Sequence, residues 1–481
     1  MRSNCKEKNS DKLKDRDRTA SNIVLVVLSN LIVGIAGIAS GFLVPKALGV
    51  YEYGYYKTFA LYSSYVTCLL FGITNGILIF YAGSPKSKLP VERIRFISRS
   101  IIIFLSLIVL ISTLIAAFLF KTNRENAIVI FAIGIYCLSF NLLNYFTIIA
   151  QSVLEFKKVI LQNLFSSFFS LASSLLVYIF YKKTSGYISF VWYLSSVILS
   201  SVLLAIWMAV SYKELIFGKV CPFREGLSEI TRLTKVGFVL MAADFASLIL
   251  LHVDTQIANM FFDVTTFSIY SFAHSIVFLV INVIAGASVV LYPSLKSLKP
   301  DEAIGNFKKI IFVISALSSL LLPSFFIISA IVNGFLPDYT SSLPLLAILF
   351  PAIIPLAFVK ICFFNYLQLC KKVYHCLVIN ISSLFISVLF TLLAYLVLKN
   401  PQFVAVSWVL SVIVYYSTYL FFMHRFFKVG VLRGILFVAL EISIFYLLYF
   451  VIGINLQCFI CSALSSIALF ILFYLIPKKH L

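Results

Sequence analysis

Charged residues are scarce in this chain of 481 residues. Asp, Glu, Lys and Arg make up 12% of it, whereas 62% is hydrophobic and the mean hydropathy is +1.05. Soluble domains carry about a quarter charged residues, so this scarcity excludes a soluble globular protein. Apolar runs of roughly 20 residues recur from residue 21 to residue 476, and each suits a membrane-spanning helix. Strands of about ten residues with alternating polarity, which a transmembrane barrel needs, are lacking. The composition predicts an all-α polytopic membrane protein.

Acidic residues are scarcer than basic ones, at 18 against 38, which gives a formal net charge of +20. In a soluble protein this excess would indicate a nucleic-acid partner. Membrane proteins instead concentrate Lys and Arg in their cytoplasmic loops. We therefore expect no nucleic-acid partner, and we use the charges to orient the chain.

Fourteen apolar segments are each long enough to cross about 30 Å of hydrocarbon. They are 22–45, 57–82, 98–120, 126–151, 158–181, 187–211, 235–261, 267–292, 309–332, 342–369, 373–398, 402–424, 432–452 and 455–476. Of the 38 basic residues, 30 fall on one side of this arrangement, seven fall on the other, and Lys360 lies inside a segment. This asymmetry predicts that both termini are cytoplasmic.

The segments divide into two groups of six and a final pair. We expect a disordered cytoplasmic tail at 1–20, a six-helix bundle at 21–212 and a cytoplasmic loop with a possible amphipathic helix at 213–234. A second six-helix bundle at 235–428 is followed by two further helices and a short tail at 429–481. A shift of 214 residues places the seventh and eighth segments on the first and second. Such repeats predict two pseudo-symmetric bundles with a binding site between them, as in many transporters.

Signals for enzymatic chemistry are also lacking. The outer loops have at most about a dozen residues, and no glycine-rich turn is followed by the GK[ST] of a nucleotide-binding loop. Cys458 and Cys461 form a CxxC inside an apolar segment without a nearby His or acidic residue, which favours packing over metal or redox chemistry. We expect no catalytic residue, metal or cofactor.

Several stretches resemble one family of membrane proteins, in the same order over nearly the whole chain. They are VPKALGVYEYGYYKTFALYSS (44–64), FGITNGILIFYAG (71–83), AQSVLEFKK (150–158), LLHVDTQIANMFFDVTTFSIYSFAHSI (250–276) and LYPSLKSL (291–298). The first has a basic residue before LG and an aromatic-glycine-aromatic turn, and the fourth has an aspartate late in one helix and a YSxA-like start to the next. The chain thus resembles the Wzx-type O-antigen and capsule repeat-unit flippases of the multidrug/oligosaccharidyl-lipid/polysaccharide exporter superfamily.

The resemblance implies a function at the bacterial cytoplasmic membrane. It implies that the chain moves undecaprenyl-pyrophosphate-linked oligosaccharide to the periplasmic leaflet, with polysaccharide polymerase and chain-length proteins as partners. One position departs from the family, because Lys46 stands where arginine often precedes LG. Lysine is a point charge and lacks the bidentate phosphate geometry of arginine.

Ionisable residues inside apolar segments are the main candidates for function, because each costs about 2.5–3.5 kcal/mol on insertion scales. Lys360 lies deep in its segment after Pro351 and Pro355, which can kink a helix or free its carbonyls. One interpretation is a cation that lines a cavity for a diphosphate or an anionic sugar. The other is an internal pair with an acidic residue.

Asp244 and Asp254 are candidates for coupling to a proton or sodium gradient. Asp244, Ser247 and Asp254 share one stripe of a helix, which predicts the wall of an aqueous cavity. Alternatively, the two aspartates pair with lysines or face water. His252 falls near the opposite side of that helix from Asp254, which favours a packed histidine over a proton relay.

The remaining candidates are polar or charged groups with more than one interpretation. Lys46 and Lys57 flank an outer turn, where they either snorkel to the interface or attract a head group. Asn75, Gln151, His274 and Asn365 can bind sugar hydroxyls or form bonds between helices. Glu441 can line a groove for a lipid tail or pair with another helix.

Three functional hypotheses follow. The first is a lipid-linked oligosaccharide flippase that rocks between inward-open and outward-open states. The second is a multidrug or cation exporter of the same superfamily, whose cavity should be acidic or apolar. The third is a membrane enzyme such as a repeat-unit polymerase, which would need a sizeable external loop that the sequence lacks.

Overall fold

The computed structural model describes residues 2–475 except 84, 185, 297–299, 371, 428–430 and 454–455. Side chains are described for the same residues apart from 2–28, 30–31, 283–305, 308, 426–433, 452, 456 and 474–475. The expected tail after residue 475 and the proposed boundary at 428 lie outside the described residues.

The described chain is built from α-helices joined by short turns. The first eight are α1 Arg2–Ser64, α2 Ile73–Tyr81, α3 Val91–Leu119, α4 Arg124–Ser152, α5 Phe156–Thr184, α6 Phe190–Ser211, α7 Phe223–Phe261 and α8 Val264–Lys296. The others are α9 Pro300–Leu321, α10 Ser324–Phe335, α11 Leu343–Leu349, α12 Ile353–Ala357, α13 Phe364–Leu369, α14 Val373–Leu398, α15 Pro401–Phe427, α16 Val431–Ile452 and α17 Leu456–Phe470.

These helices confirm the all-α polytopic fold class. Twelve of the described helical stretches are long and apolar enough to cross a membrane. The first of them, Ile32–Leu70, joins two predicted segments, and the last predicted segment corresponds to the shorter apolar helix Gln457–Phe473. The fourteen predicted segments therefore all have helical counterparts. Their orientation stays a prediction, and "inner" below means the side predicted to be cytoplasmic.

The first two segments are joined at Gly49 without a loop. Gly49 has φ 70° and ψ 175° inside α1, a conformation that glycine adopts without strain. Before it, Ser29 contacts Asn163 near the start of α5. After it, Thr58 contacts Asn259 near the end of α7. The two halves of α1 consequently run in opposite directions, and the reversal expected within 42–59 is a single-residue kink.

The second predicted outer turn, which includes Val264, lies against the first one, which includes Gly54. A Cβ atom on Gly54 would lie 2.6 Å from Cγ1 of Val264 and 2.7 Å from its carbonyl oxygen. Val264 is the first residue of α8. The two turns that the 214-residue repeat relates are thus neighbours in space, although the division into bundles stays a prediction.

Two expectations about the inner side need correction. The stretch CPFREGLSEITRLTK (221–235) does not form a separate surface helix, because α7 runs unbroken from Phe223 to Phe261. The short loop before it contains only a 3₁₀ turn, Lys213–Leu215. In addition, α1 includes residues 2–20, where a disordered tail was expected.

The span that contains Lys360 is broken into short pieces. Helices α11, α12 and α13 are separated by a 3₁₀ turn at Phe350–Ala352 and a π-helical turn at Phe358–Phe363. Pro351 and Pro355 lie just before the π turn, and proline cannot donate the backbone hydrogen bond that a regular α-helix needs. Single π turns inside α-helices are frequent at functional sites.

Candidate functional site

Lys57 projects from the second half of α1 toward α8. Its Nζ donates a 2.6 Å hydrogen bond to Oγ of Ser275. The same ammonium lies 5.2 Å from the ring centroid of Tyr53 and 5.8 Å from that of Tyr56. Such distances allow cation–π attraction. Lys57 therefore points into the helix interface and does not snorkel to the outer surface.

Lys360 approaches the same part of α8 from the π turn. Its half-buried side chain places Nζ 5.1 Å from the ring centroid of Phe278. Ser275 and Phe278 are one helical turn apart, so Lys57 and Lys360 contact neighbouring positions of α8. Across the described part of the chain, neither lysine has a carboxylate within 4.0 Å. The internal acid pair proposed as one interpretation of Lys360 is absent from these residues.

Asp254 is buried next to Tyr270, to which it is hydrogen-bonded, and next to His274. The Tyr270 hydroxyl donates a 2.8 Å bond to Oδ2 of Asp254, and Nε2 of His274 lies 3.4 Å from Oδ1. Nε2 is also 3.1 Å from the carbonyl oxygen of Leu251. Both neighbours are acceptors, so this nitrogen carries a proton. Asp254 is 0% exposed and does not line an aqueous wall, contrary to the expectation from its helical stripe.

An aromatic cluster joins this group to Lys360. The ring of Phe278 lies 4.5 Å from His274 and 5.1 Å from His252, centroid to centroid. The two histidine rings are 5.3 Å apart. His252 is thus a packed histidine, as expected, and it packs on His274, the histidine that lies beside Asp254. Sequence reasoning missed the pairing of His274 with Asp254, although Tyr270, His274 and Phe278 recur every four residues along α8.

Asn75 and Asp244 lie together in a cavity of about 300 Å³, with a mixed polar and apolar lining, on the inner half of the molecule. The cavity is lined by Thr67, Cys68, Thr74, Asn75, Asn144, Met241, Asp244, Phe245 and Leu248. Asp244 is exposed to this space. The structure therefore brings together two residues that the sequence assigned to different roles. A second cavity of about 800 Å³, mostly apolar, lies between α1, α3 and α4.

The other predicted residues are dispersed. Lys46 contacts the ring of Phe335 at 5.8 Å. Asn365, in α13, donates a 2.8 Å bond to the carbonyl of Ile361 in the preceding π turn. Gln151 is half-buried at the inner end of α4. No described contact joins Lys46 or Gln151 to Lys57 or Lys360, whereas Asn365 bonds to the residue that follows Lys360 in the chain.

Glu441 is buried between three helices. One carboxylate oxygen accepts a 2.7 Å bond from Ser319 of α9, and the other accepts a 2.9 Å bond from Ser466 of α17. The side chain is 1% exposed. These two hydrogen bonds join α16 to α9 and α17, as the helix-pairing interpretation of Glu441 expects.

Two hydrogen bonds join the N-terminal and C-terminal halves of the chain at the outer end of their interface. The Tyr339 hydroxyl donates a 3.1 Å bond to the carbonyl of Gly49. The Tyr187 hydroxyl donates a 2.7 Å bond to the carboxylate of Asp338. This bond raises the pKa of Tyr187 to about 12, because ionisation would bring two negative charges together. The outer contacts therefore involve the kink itself.

A second group of contacts closes the inner end. Glu229 of α7 accepts bonds from Tyr81 at 2.6 Å, Arg232 at 2.7 Å and Arg93 at 3.4 Å. Nearby, a Cβ atom on Gly237 would overlap the carbonyl oxygen of Gly72. Helix α7 therefore lies directly on α2, and both ends of the interface are closed in this conformation.

Comparison with known proteins defines the fold class. No protein-family model and no curated protein matches the chain. Its fold is shared with flippases and exporters among the solved structures. The lipid II flippase MurJ in an inward closed conformation has a TM-score of 0.70 at 16% identity, over 94% of this chain and 98% of that chain.

Two exporter structures show the same fold at lower similarity. A multidrug resistance MATE family transporter of the MOP superfamily, in an inward-facing conformation, has a TM-score of 0.57 at 13% identity, over 88% of this chain and 95% of that chain. A MOP superfamily transporter from Pyrococcus furiosus has a TM-score of 0.50 at 13% identity, over 88% of this chain and 96% of that chain. These likenesses establish a MurJ/MATE-like fold for this chain.

Proposed function

We propose that the chain is a flippase for undecaprenyl-pyrophosphate-linked oligosaccharide repeat units. It moves O-antigen, capsule or exopolysaccharide precursors from the cytoplasmic to the periplasmic leaflet of the bacterial inner membrane. The fold of MurJ and the MATE transporters supports a transporter over an enzyme. The polymerase and chain-length proteins that would act next are its proposed partners.

The two lysines that meet at α8 carry this proposal. Each ammonium in an apolar span costs about 2.5–3.5 kcal/mol on insertion scales unless it is compensated. Within the described residues no carboxylate compensates Lys57 or Lys360. A diphosphate between them would supply the missing negative charge through charge-assisted hydrogen bonds.

The arrangement of the helices suits alternating access. Lys57 comes from the N-terminal half and Lys360 from the C-terminal half, so a diphosphate bound by both connects the two proposed bundles. The outer contacts at Gly49 and the inner contacts at Glu229 would open in turn. Because the sequence has no nucleotide-binding loop, we propose coupling to an ion gradient. Asp254, beside His274, is the proposed coupling group, and Asp244 is the alternative.

Replacement of Lys360 or Asp254 by alanine in the native host tests the proposal. We expect surface polysaccharide to disappear while the amount of folded protein in the membrane stays at the wild-type level. The control is Lys121→Ala, which removes an exposed lysine at the outer end of α3. Normal polysaccharide from well-expressed variants would remove these residues from the mechanism.

One observation favours a second candidate, an exporter of organic cations. Asp244 places a carboxylate in a cavity that no described Lys or Arg lines. Overexpression that raises resistance to lipophilic cations, with surface polysaccharide unchanged by deletion of the chain, would favour this exporter over the flippase.

A further inference from the structure

We infer that the 300 Å³ cavity around Asp244 and Asn144 binds a neutral hexose unit of the transported oligosaccharide. This inference rests on the proposed function and adds to it a carbohydrate site separate from the two lysines. It assigns Asp244 to sugar recognition, whereas the sequence indicated ion coupling.

The cavity is built from both halves of the molecule. The segment after α1 supplies Thr67, and α2 and α4 supply Thr74, Asn75 and Asn144. Helix α7 supplies Asp244 and Phe245. A ligand held by these side chains would contact α2 and α4 on one side and α7 on the other. It would therefore be sensitive to any movement of α7 against the N-terminal helices, as alternating access requires.

The polar side chains that line the cavity are available to a ligand. Among the described contacts, the side chains of Asn75, Asn144 and Asp244 form no hydrogen bond, and neither does the hydroxyl of Thr74. Thr74 is only 8% exposed. Polar groups in an apolar span normally bond to neighbouring helices or face a polar cavity. This set faces the cavity.

The chemistry of the lining matches a sugar ring. Amide and hydroxyl groups both donate and accept, and a carboxylate accepts from two hydroxyls at once. Met241, Phe245 and Leu248 form an apolar wall for the C–H face of the ring. The volume falls within the roughly 300–1,000 Å³ typical of small-molecule pockets.

The same lining excludes two other ligands. No described Lys or Arg lines the cavity, so it does not suit a phosphate. A bound metal cation needs several oxygens converging at about 2.0–2.6 Å. The cavity has one carboxylate in a space many times larger, and no group of three or more His, Cys, Asp or Glu residues in the described chain could hold a metal. The single carboxylate also predicts that hexuronic acids are disfavoured.

The position of the cavity relative to Lys57 sets which sugar unit it holds. Thr67 follows Lys57 by ten residues, which is roughly 15 Å along a helix at 1.5 Å per residue. With the diphosphate at the lysines, the cavity would hold a later unit of the oligosaccharide and not the first one. The test therefore needs an oligosaccharide of several units.

Binding of three undecaprenyl diphosphates to the purified full chain tests the inference. One probe has no sugar, one carries a trisaccharide of neutral hexoses, and one carries the corresponding trisaccharide of hexuronic acids. We expect the wild-type chain to bind the neutral probe about tenfold more tightly than the sugar-free one, as a few hydrogen bonds allow. Asp244→Asn and Asn144→Leu should each lose this gain while binding the sugar-free probe normally.

Two matched controls separate the cavity from general effects. Glu125→Gln removes a carboxylate at the outer end of α4, and Asn126→Leu removes an exposed amide there. Both should retain the gain. Asp244→Asn should also abolish discrimination against the hexuronic probe. If that variant fails to fold, Asn144→Leu decides the question alone.

The outcomes distinguish this inference from the proposed function. If the wild-type chain binds the sugar-free probe but gains nothing from neutral hexoses, or if both variants keep the gain, the inference is wrong and the flippase proposal stands. If Asp244→Asn instead removes a sodium-dependent rise in melting temperature and keeps the sugar gain, the cavity is a cation site. If the wild-type chain binds no diphospholipid, both proposals fail.

Discussion

Lys57 on α1 donates a 2.6 Å hydrogen bond to Ser275 on α8, 218 residues further along the chain. The Ser275 hydroxyl in turn donates to the carbonyl of Ser271. The lysine is therefore held by a neutral partner, and an ammonium has three protons to donate. Among the described residues Ser275 is the one hydrogen-bond acceptor of Lys57, so two protons remain for a ligand. This geometry fixes the position of the charge without neutralising it.

The kink at Gly49 gives a prediction about stability. Gly49→Ala would place a side chain at φ 70°, where its Cβ would also lie 2.8–3.0 Å from the ring of Tyr187. We expect a loss of about 1–3 kcal/mol, measured by thermal unfolding in detergent. Gly34→Ala is the control, because nothing lies within 4 Å of its added Cβ. Equal melting temperatures for the two variants would contradict the kink assignment.

The bond between Tyr270 and Asp254 gives a second prediction. Tyr270→Phe leaves the carboxylate of Asp254, which is 0% exposed, without its 2.8 Å donor. An unsatisfied buried acceptor costs about 1–3 kcal/mol, so the melting temperature should fall. The comparison is Tyr374→Phe, in which the same hydroxyl is lost from an exposed ring. A Tyr270→Phe chain as stable as the control would show that the bond contributes nothing.

The inner contacts give a third prediction. Glu229→Gln weakens the bonds to Tyr81 and Arg93 that join α7 to α2 and α3. Leu233 is 0% exposed in the closed interface, so a cysteine introduced there reports opening. We expect this cysteine to be alkylated several-fold faster when Glu229→Gln is also present than when it is absent. The control is Glu225→Gln, which alters an exposed pair with Arg93 at 3.6 Å. An unchanged alkylation rate in Glu229→Gln would show that the hydrogen bonds of Glu229 do not keep the inner end closed.

Asp263, between α7 and α8, gives a prediction about pH. Hydrogen bonds from the hydroxyl and the amide of Thr266 hold the pKa of Asp263 below its usual range. A lowered folded-state pKa stabilises the protein above the unfolded value of about 3.9, and this stabilisation is lost as the pH falls through the lower folded value. The gap in melting temperature between wild type and Asp263→Asn should therefore shrink below about pH 4. A constant gap between pH 7 and pH 3 would contradict this.

The fold could be predicted from the sequence because hydrophobic length dominates it. Each of the fourteen apolar segments has a helical counterpart, and Gly49 lies within the predicted first turn. The boundary of α7 was missed, because a polar, charged stretch such as 221–235 signals a loop in a membrane protein. Its helix is set by packing on α2, where Gly72 and Gly237 let the backbones meet.

The site was harder to predict because it depends on contacts between distant helices. Lys360 could be identified from its depth in an apolar segment, and Lys57 only as one of two interpretations. The stripe containing Asp244 and Asp254 indicated a single aqueous wall, but the structure exposes Asp244 and buries Asp254. Helical periodicity gives the face of one helix. It does not identify which neighbouring helix packs against each part of that face.

Transport in proteoliposomes tests the central claim most directly. The measurement follows a fluorescent undecaprenyl diphosphate oligosaccharide as it becomes accessible to a quencher on the opposite leaflet. We expect Lys57→Ala and Lys360→Ala each to slow transfer by at least about tenfold, since each removes a charge-assisted hydrogen bond. The double variant should not exceed protein-free liposomes, and Lys121→Ala should match wild type. Transfer at the wild-type rate by a folded double variant would contradict the role of these lysines in a flippase.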